Sequence, residues 1–197
     1  MSGKVLHISQ KMPAARRRQI APNGVIGMLI VVMAEIMFFA GLISAHAVIR
    51  TSALDGWPPP GQPRLPIEET LVNTAALILS GIVLFVAHRR FTRRASDAVK
   101  PVLVSLLLGA FFVAFQGVEW VALLREGLTL TSSTHGALFY LIIGSHGLHA
   151  AAGVVVLGWA YLKLRRGELV ITQLMTVEIF WYFVVALWPV LYWRVYL

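Results

Sequence analysis

Val25–Val48 reads VIGMLIVVMAEIMFFAGLISAHAV, and this stretch decides the fold. An apolar run of about 20 residues is enough to cross a bilayer as a helix. One carboxylate, Glu35, interrupts the run near its middle, between Met33-Ala34 and Ile36-Met37-Phe38-Phe39. A charge at that depth costs at least about 2.5 kcal/mol. Such a residue is kept where it faces a bundle interior, pairs with a partner or handles protons. The partner of Glu35 is therefore the first question the sequence raises.

Outward from this stretch, four more apolar blocks follow. The spans are predicted at 24–49, 70–88, 101–124, 136–162 and 170–194. The chain of 197 residues is 58% hydrophobic and 13% charged. Soluble domains average about 45–50% apolar and about 25% charged. The expected fold is an all-α polytopic membrane protein, a bundle of five transmembrane helices. Residues 1–23 form a basic tail and 24–197 the membrane domain, which leaves no room for a separate soluble catalytic domain.

The net charge of +8 is placed asymmetrically. Lys4, Lys11, Arg16, Arg17 and Arg18 precede the first span; Arg89, Arg90, Arg93, Arg94 and Lys100 join the second to the third; Lys163, Arg165 and Arg166 join the fourth to the fifth. That leaves only four of the 17 basic residues, Arg50, Arg64, Arg125 and Arg194, for the other face. The positive-inside rule then predicts a cytoplasmic N-terminus and an outer C-terminus. Short basic loops on one membrane face argue against nucleic acid as a partner. Ala45-His46-Ala47 resembles a signal-peptide cleavage site, but the preceding run is too long for a signal core and carries Glu35. The absence of cysteine excludes disulfides, thiolate metal sites and c-type haem attachment. No catalytic residue and no metal-ligand set stands out.

The longest connection, 51–69, holds five of the nine prolines together with Trp57, which is read as an interfacial anchor at the membrane surface. The other informative residues are polar groups inside spans. His146 and His149 stand three apart on one face of the fourth span. Gln116 and Glu119 lie in the third and Glu178 in the fifth. At about 1.5 Å per residue, Glu35 and His149 lie within about one turn of each other in depth, and so do Glu119 and His146. Two carboxylate–imidazole pairs are thus geometrically possible. They would act either as interhelical hydrogen-bond glue, worth about 0.6 kcal/mol on average, or in proton handling. His46, His88 and His135, near span ends, read as interfacial or solvated.

Several segments resemble subunit III of haem–copper terminal oxidases. They are MAEIMFFAG around Glu35, LVNTAALILSG at 71–81, LGAFFVAFQGVEW at 108–120, GSHGLHAAAG at 144–153 and the aromatic WYFVVALWPVLYW at 181–193. The match covers about residues 24–196 in order and looks like the five-helix bacterial form, sited in the bacterial inner membrane. The resemblance implies a non-redox subunit of cytochrome c oxidase with no cofactor of its own. Haem and copper belong to the partners, subunits I and II, in a complex that can join a larger respiratory supercomplex. It implies that the chain stabilises subunit I, supports proton uptake and binds phospholipid in a cleft, set here between the first two helices and the last three. Glu35 matches the family's carbodiimide-reactive carboxylate, His146 and His149 its paired histidines, and Glu119 the Glu of its Gln-x-x-Glu pattern. The family's last helix has a histidine and an aspartate where this chain has Tyr182 and Val185, and a glutamate at Met175 where this chain instead has Glu178.

From this frame, phospholipid is expected at Lys163, Arg165, Arg166, Arg89, Arg90 and Trp57. The subunit I interface is expected at Gly41, Ser44, Asn73, Ala76, Ser80 and Gly81, where small residues allow close helix approach. The alternatives are a subunit III-like accessory protein of a nitric oxide reductase and a small proton-coupled membrane transporter.

Overall fold

The computed structural model describes residues 22–53, 56–59 and 67–196. The basic tail and Arg64 lie outside the described residues. Five α-helices carry the fold: α1 (Asn23–Ser52), α2 (Ile67–Phe91), α3 (Val99–Arg125), α4 (Thr134–Arg165) and α5 (Ile171–Leu191). A 3-10 turn, Ala95–Ala98, leads into α3, and a π turn, Tyr192–Tyr196, follows α5. All five helices are long and apolar enough to cross a membrane, and no strand occurs among the described residues.

α1 to α4 extend beyond their expected spans, and caps mark ends of α3 and α4. Ser133 accepts a hydrogen bond from the Gly136 amide at 3.0 Å and starts α4 ahead of its apolar block. Gly127 and Gly167, with φ of 91° and 71°, take the left-handed conformation that stops α3 and α4. The amides that follow fold back, Leu128 onto the Leu123 carbonyl and Glu168 onto the Lys163 carbonyl, each at 3.0 Å.

α2, α3, α4 and α5 close a ring, each packing on the next and α5 returning to α2. α1 lies outside it against α5 and α4, and its only buried residues are Val25, Phe39 and His46. The expected cleft between the first two helices and the last three is therefore not the division found. α2 belongs to the ring, and α1 alone stands apart.

Two tryptophans of α5 cross the ring's interior. Trp181 donates its indole N–H to Ser80 of α2 at 3.0 Å and lies against Gly109 of α3 and Gly153 of α4. A β-carbon at either glycine would stand 2.6 or 2.7 Å from the indole, so only glycine admits it. Seven residues on, Trp188 donates to Thr74 of α2 at 2.8 Å. It also stacks on His146 of α4 and meets Phe112 of α3 edge-on. Each indole thus satisfies its one donor while touching three other helices, as a buried tryptophan requires.

Candidate functional site

The site is built around Glu35. α1 lays Glu35 against α4, where its Oε2 stands 3.1 Å from Nε2 of His149. His149 is held at its other nitrogen: Nδ1 is 2.7 Å from the Ser145 carbonyl, one turn back on α4. A carbonyl can only accept, so Nδ1 carries a proton. Nε2 and Oε2 then face each other at ion-pair distance, where a carboxylic acid can meet an imidazole or a carboxylate an imidazolium. Either form is neutral overall, which suits a pair within a membrane. Phe39, Phe180 and Phe183 surround the imidazole at 5.5, 6.2 and 6.4 Å between ring centres. The Glu35 side chain keeps 27% of its surface exposed on the outer flank of the bundle. The pair expected from helix depth is therefore formed.

The second expected pair is not. His146 is fully buried, stacked on Trp188 at 5.0 Å with Phe39 and Phe112 at its edges, and neither ring nitrogen has a partner among the described residues. Glu119 points elsewhere: the Gln116 amide donates to it at 2.9 Å, and the Thr70 hydroxyl lies 3.2 Å from both its oxygens. Asn73 extends this network, donating to the Phe112 carbonyl at 3.3 Å. Equal depth did not suffice, because α3 turns Glu119 toward α2 rather than α4.

A third pair escaped the sequence reading. Nδ1 of His88 on α2 meets Oε2 of Glu178 on α5 at 2.7 Å. His88 sits three residues from the end of its helix and looked solvated, yet α5 brings a buried carboxyl to it. The offset of Glu178 from the family pattern was the available signal. A fourth cluster was missed as well. Trp57 is sandwiched edge-on between His46 at 5.5 Å and His135 at 5.0 Å, closing one end of α1 and α4. Trp57 is thus half-buried against two histidines of this chain.

The remaining expectations divide. Asn73, Ser80 and Gly81 are buried inside this chain. Ser80 and Ser105 of α3 exchange hydroxyl-to-carbonyl bonds at 2.8 and 2.9 Å, and a β-carbon at Gly81 would meet Val185 at 3.1 Å. These three residues join α2 to its own neighbours and so cannot face a partner subunit. Ala76 is half-buried, while Gly41 and Ser44 are exposed on α1. At the basic end, Lys163 caps the Trp159 ring at 4.8 Å and Arg89 the Phe85 ring at 5.1 Å. Arg165 and Arg166 are exposed, and Arg90 lines a 440 Å³ recess with Arg93, Ser96, Asp97 and Lys100.

The family model for cytochrome c oxidase subunit III matches residues 15–197. The chain belongs to the cytochrome c oxidase subunit III family. It is 31% identical to a probable cytochrome c oxidase subunit 3 from Nocardia farcinica over 196 residues, 96% of this chain and 93% of the relative. It is 32% identical to the probable subunit 3 of Mycobacterium leprae over 183 residues, 89% of this chain and 88% of that one. Subunit 3 of Lycodon semicarinatus matches at 32% over 179 residues, 86% of this chain and 67% of that protein. Membership in the subunit III family displaces the transporter reading. The protein is a multi-pass membrane subunit that associates with an oxidase complex.

Proposed function

We propose that this subunit III is a non-redox member of an oxygen-reducing oxidase in a bacterial inner membrane, with its N-terminus cytoplasmic. In this reading it steadies subunit I and keeps proton uptake fast. The observation that carries the proposal is the partly exposed Glu35–His149 pair on the least buried helix. A carboxyl left facing lipid is costly, so that flank of α1 is best explained as covered by a partner. Gly41 and Ser44, exposed on α1, supply the small surface on which another helix packs closely. Subunit I, with subunit II beyond it, is the partner in this reading.

The basic end supports a second part of the proposal. Lys163, Arg165, Arg166, Arg89 and Arg90 gather at the ends of α2 and α4 and suit anionic phospholipid heads at the cytoplasmic surface. Each basic residue there adds about 1 kcal/mol of attraction.

Purification from native membranes tests the assignment: the chain should bring haem-containing partners in fixed stoichiometry. Deleting it should leave initial oxygen reduction in place, with activity decaying under sustained turnover. Normal sustained turnover without the chain would remove the proposed role.

A further inference from the structure

Among the described residues, His88–Glu178 is the one carboxyl–imidazole contact that is a full hydrogen bond, Nδ1 to Oε2 at 2.7 Å. It joins an open group to a closed one: the His88 side chain is 30% exposed and the Glu178 side chain 6%. Glu178 lies roughly 10 Å along α5 from Ile171. His88 stands in the last turn of α2 beside exposed Arg89 and Arg90, which places it at the aqueous surface. Its Nε2, on the far side of the ring, bonds to no other group among the described residues and is not enclosed. His149 has no such freedom, since its Nδ1 is held by the Ser145 carbonyl while Nε2 faces Glu35. A clamp between α2 and α5 would explain the hydrogen bond but leaves two atoms unexplained. Oε1 of Glu178 and the Tyr182 hydroxyl are both buried without a partner among the described residues. They share a face of α5, one turn apart. Each unpaired atom costs about 1–3 kcal/mol, and a clamp gains nothing from leaving them open. The arrangement also departs from the family pattern, which has a glutamate at Met175 and a histidine at Tyr182.

We propose that His88 and Glu178 form a proton-exchange site, in which the imidazole carries protons between water and the buried carboxyl. The cycle starts from a carboxylate facing a neutral imidazole that is protonated at Nδ1. A proton from water binds Nε2 and makes the imidazolium. The Nδ1 proton then passes along the 2.7 Å hydrogen bond to Oε2. The result is a carboxylic acid and a neutral imidazole protonated at Nε2, one proton richer than the start. Release runs the same two transfers backwards. The Tyr182 hydroxyl, through one water molecule, would donate to Oε1 and steady the carboxylate once its proton leaves. Few other charges intervene. Arg89 turns to the Phe85 ring and Arg90 to the recess at the α2–α3 connection. From α1 and α4, which also pack on α5, no charged side chain stands within ion-pair distance of Glu178 among the described residues. The use of this site to an oxidase rests on the proton-uptake reading above; the exchange itself does not.

The test is difference infrared spectroscopy on the assembled complex without an electron donor, so that turnover plays no part and the proton-uptake reading can fail separately. Lowering the pH should raise a protonated-carboxyl band that Glu178→Gln abolishes. On transfer to heavy water at that pH, the band should shift rapidly as the carboxyl proton exchanges. In His88→Asn the new amide can still donate to Oε2 but cannot pass a proton on. Its exchange should be slower on the order of a hundredfold, the low end of what a positioned proton carrier contributes. Equally fast exchange in His88→Asn would overturn the proposal and leave a clamp. So would a Glu178 carboxyl that takes up no proton at any pH at which the complex stays intact. Should His88→Asn fail to assemble, the wild type decides: exchange as slow as that of the buried helix amides rules the site out.

Discussion

The contact between Glu35 and His149 is the most specific chemistry among the described residues. Because the Ser145 carbonyl fixes the proton on Nδ1, Glu35→Gln can keep a polar contact, its amide facing Nε2, while removing the ionisable carboxyl. We expect Glu35→Gln to assemble normally and to slow proton-coupled turnover. His149→Phe, which strands the carboxyl among phenylalanines, should weaken subunit retention by about 1–3 kcal/mol. A shared loss in both variants would reduce the pair to packing. A hydrophobic carbodiimide should label Glu35, whose side chain is 27% exposed, and spare Glu119 and Glu178, each 4% exposed. Labelling confined to the two enclosed carboxyls would contradict this. The His88–Glu178 pair makes a separate prediction. His88→Leu leaves Glu178 unpaired and should cost about 1–3 kcal/mol in thermal stability, whereas Leu at both positions should recover part of it. Additive losses in that double-mutant cycle would show that the contact carries no coupling. Of these pairs, only Glu35–His149 was legible in the sequence. Helix depth limits which residues can meet, but helix rotation selects among them, and rotation is set by packing that one chain's hydropathy does not encode.

At the scale of the element, α5 organises the ring through its two indoles, and the glycines opposite are fitted to them. Gly153→Ala should therefore destabilise the subunit by about 1–3 kcal/mol, the usual cost of overpacking. The new β-carbon stands 2.7 Å from Trp181. Gly158→Ala, five residues along the same helix, meets its nearest atom at 3.9 Å and should be tolerated. Thermal unfolding in detergent compares the two, and equal losses would mean that helix propensity rather than the Trp181 notch decides. The spans themselves were easily read, since apolar blocks of this length have few other readings. Their faces were not. In a membrane the lipid-facing and core-facing sides of a helix are both apolar. Ser80 and Gly81 correctly marked a close helix contact, but nothing local in α2 says whether the approaching helix belongs to the same chain. The contacts of Trp57 were hidden for a related reason. Aromatic residues near span ends suit the interface in general, and only the fold reveals that His46 and His135 already enclose this one.

For the whole molecule, a four-helix ring with one outlying helix separates folding from assembly, and two substitutions can tell them apart. Ser80 accepts the Trp181 indole proton and exchanges bonds with Ser105, so Ser80→Leu strikes the ring interior. It should lower the amount of folded subunit in the membrane. A β-carbon at Gly41 meets nothing within 4 Å, and the residue is exposed on α1, so Gly41→Leu should leave this chain folded. If α1 faces the partner, the added side chain blocks close approach where interhelical packing is the main attraction. The expected result is a stable free subunit III, with the other oxidase subunits purifying together and losing activity during sustained turnover. The measurement is affinity purification through a partner, read beside the membrane level of this chain. Should Gly41→Leu stay bound while Ser80→Leu yields a folded, released subunit, the roles of α1 and α2 are reversed. The partner would then have to reach Ser80 across the close α2–α3 contact, and the ring itself would have to open on binding.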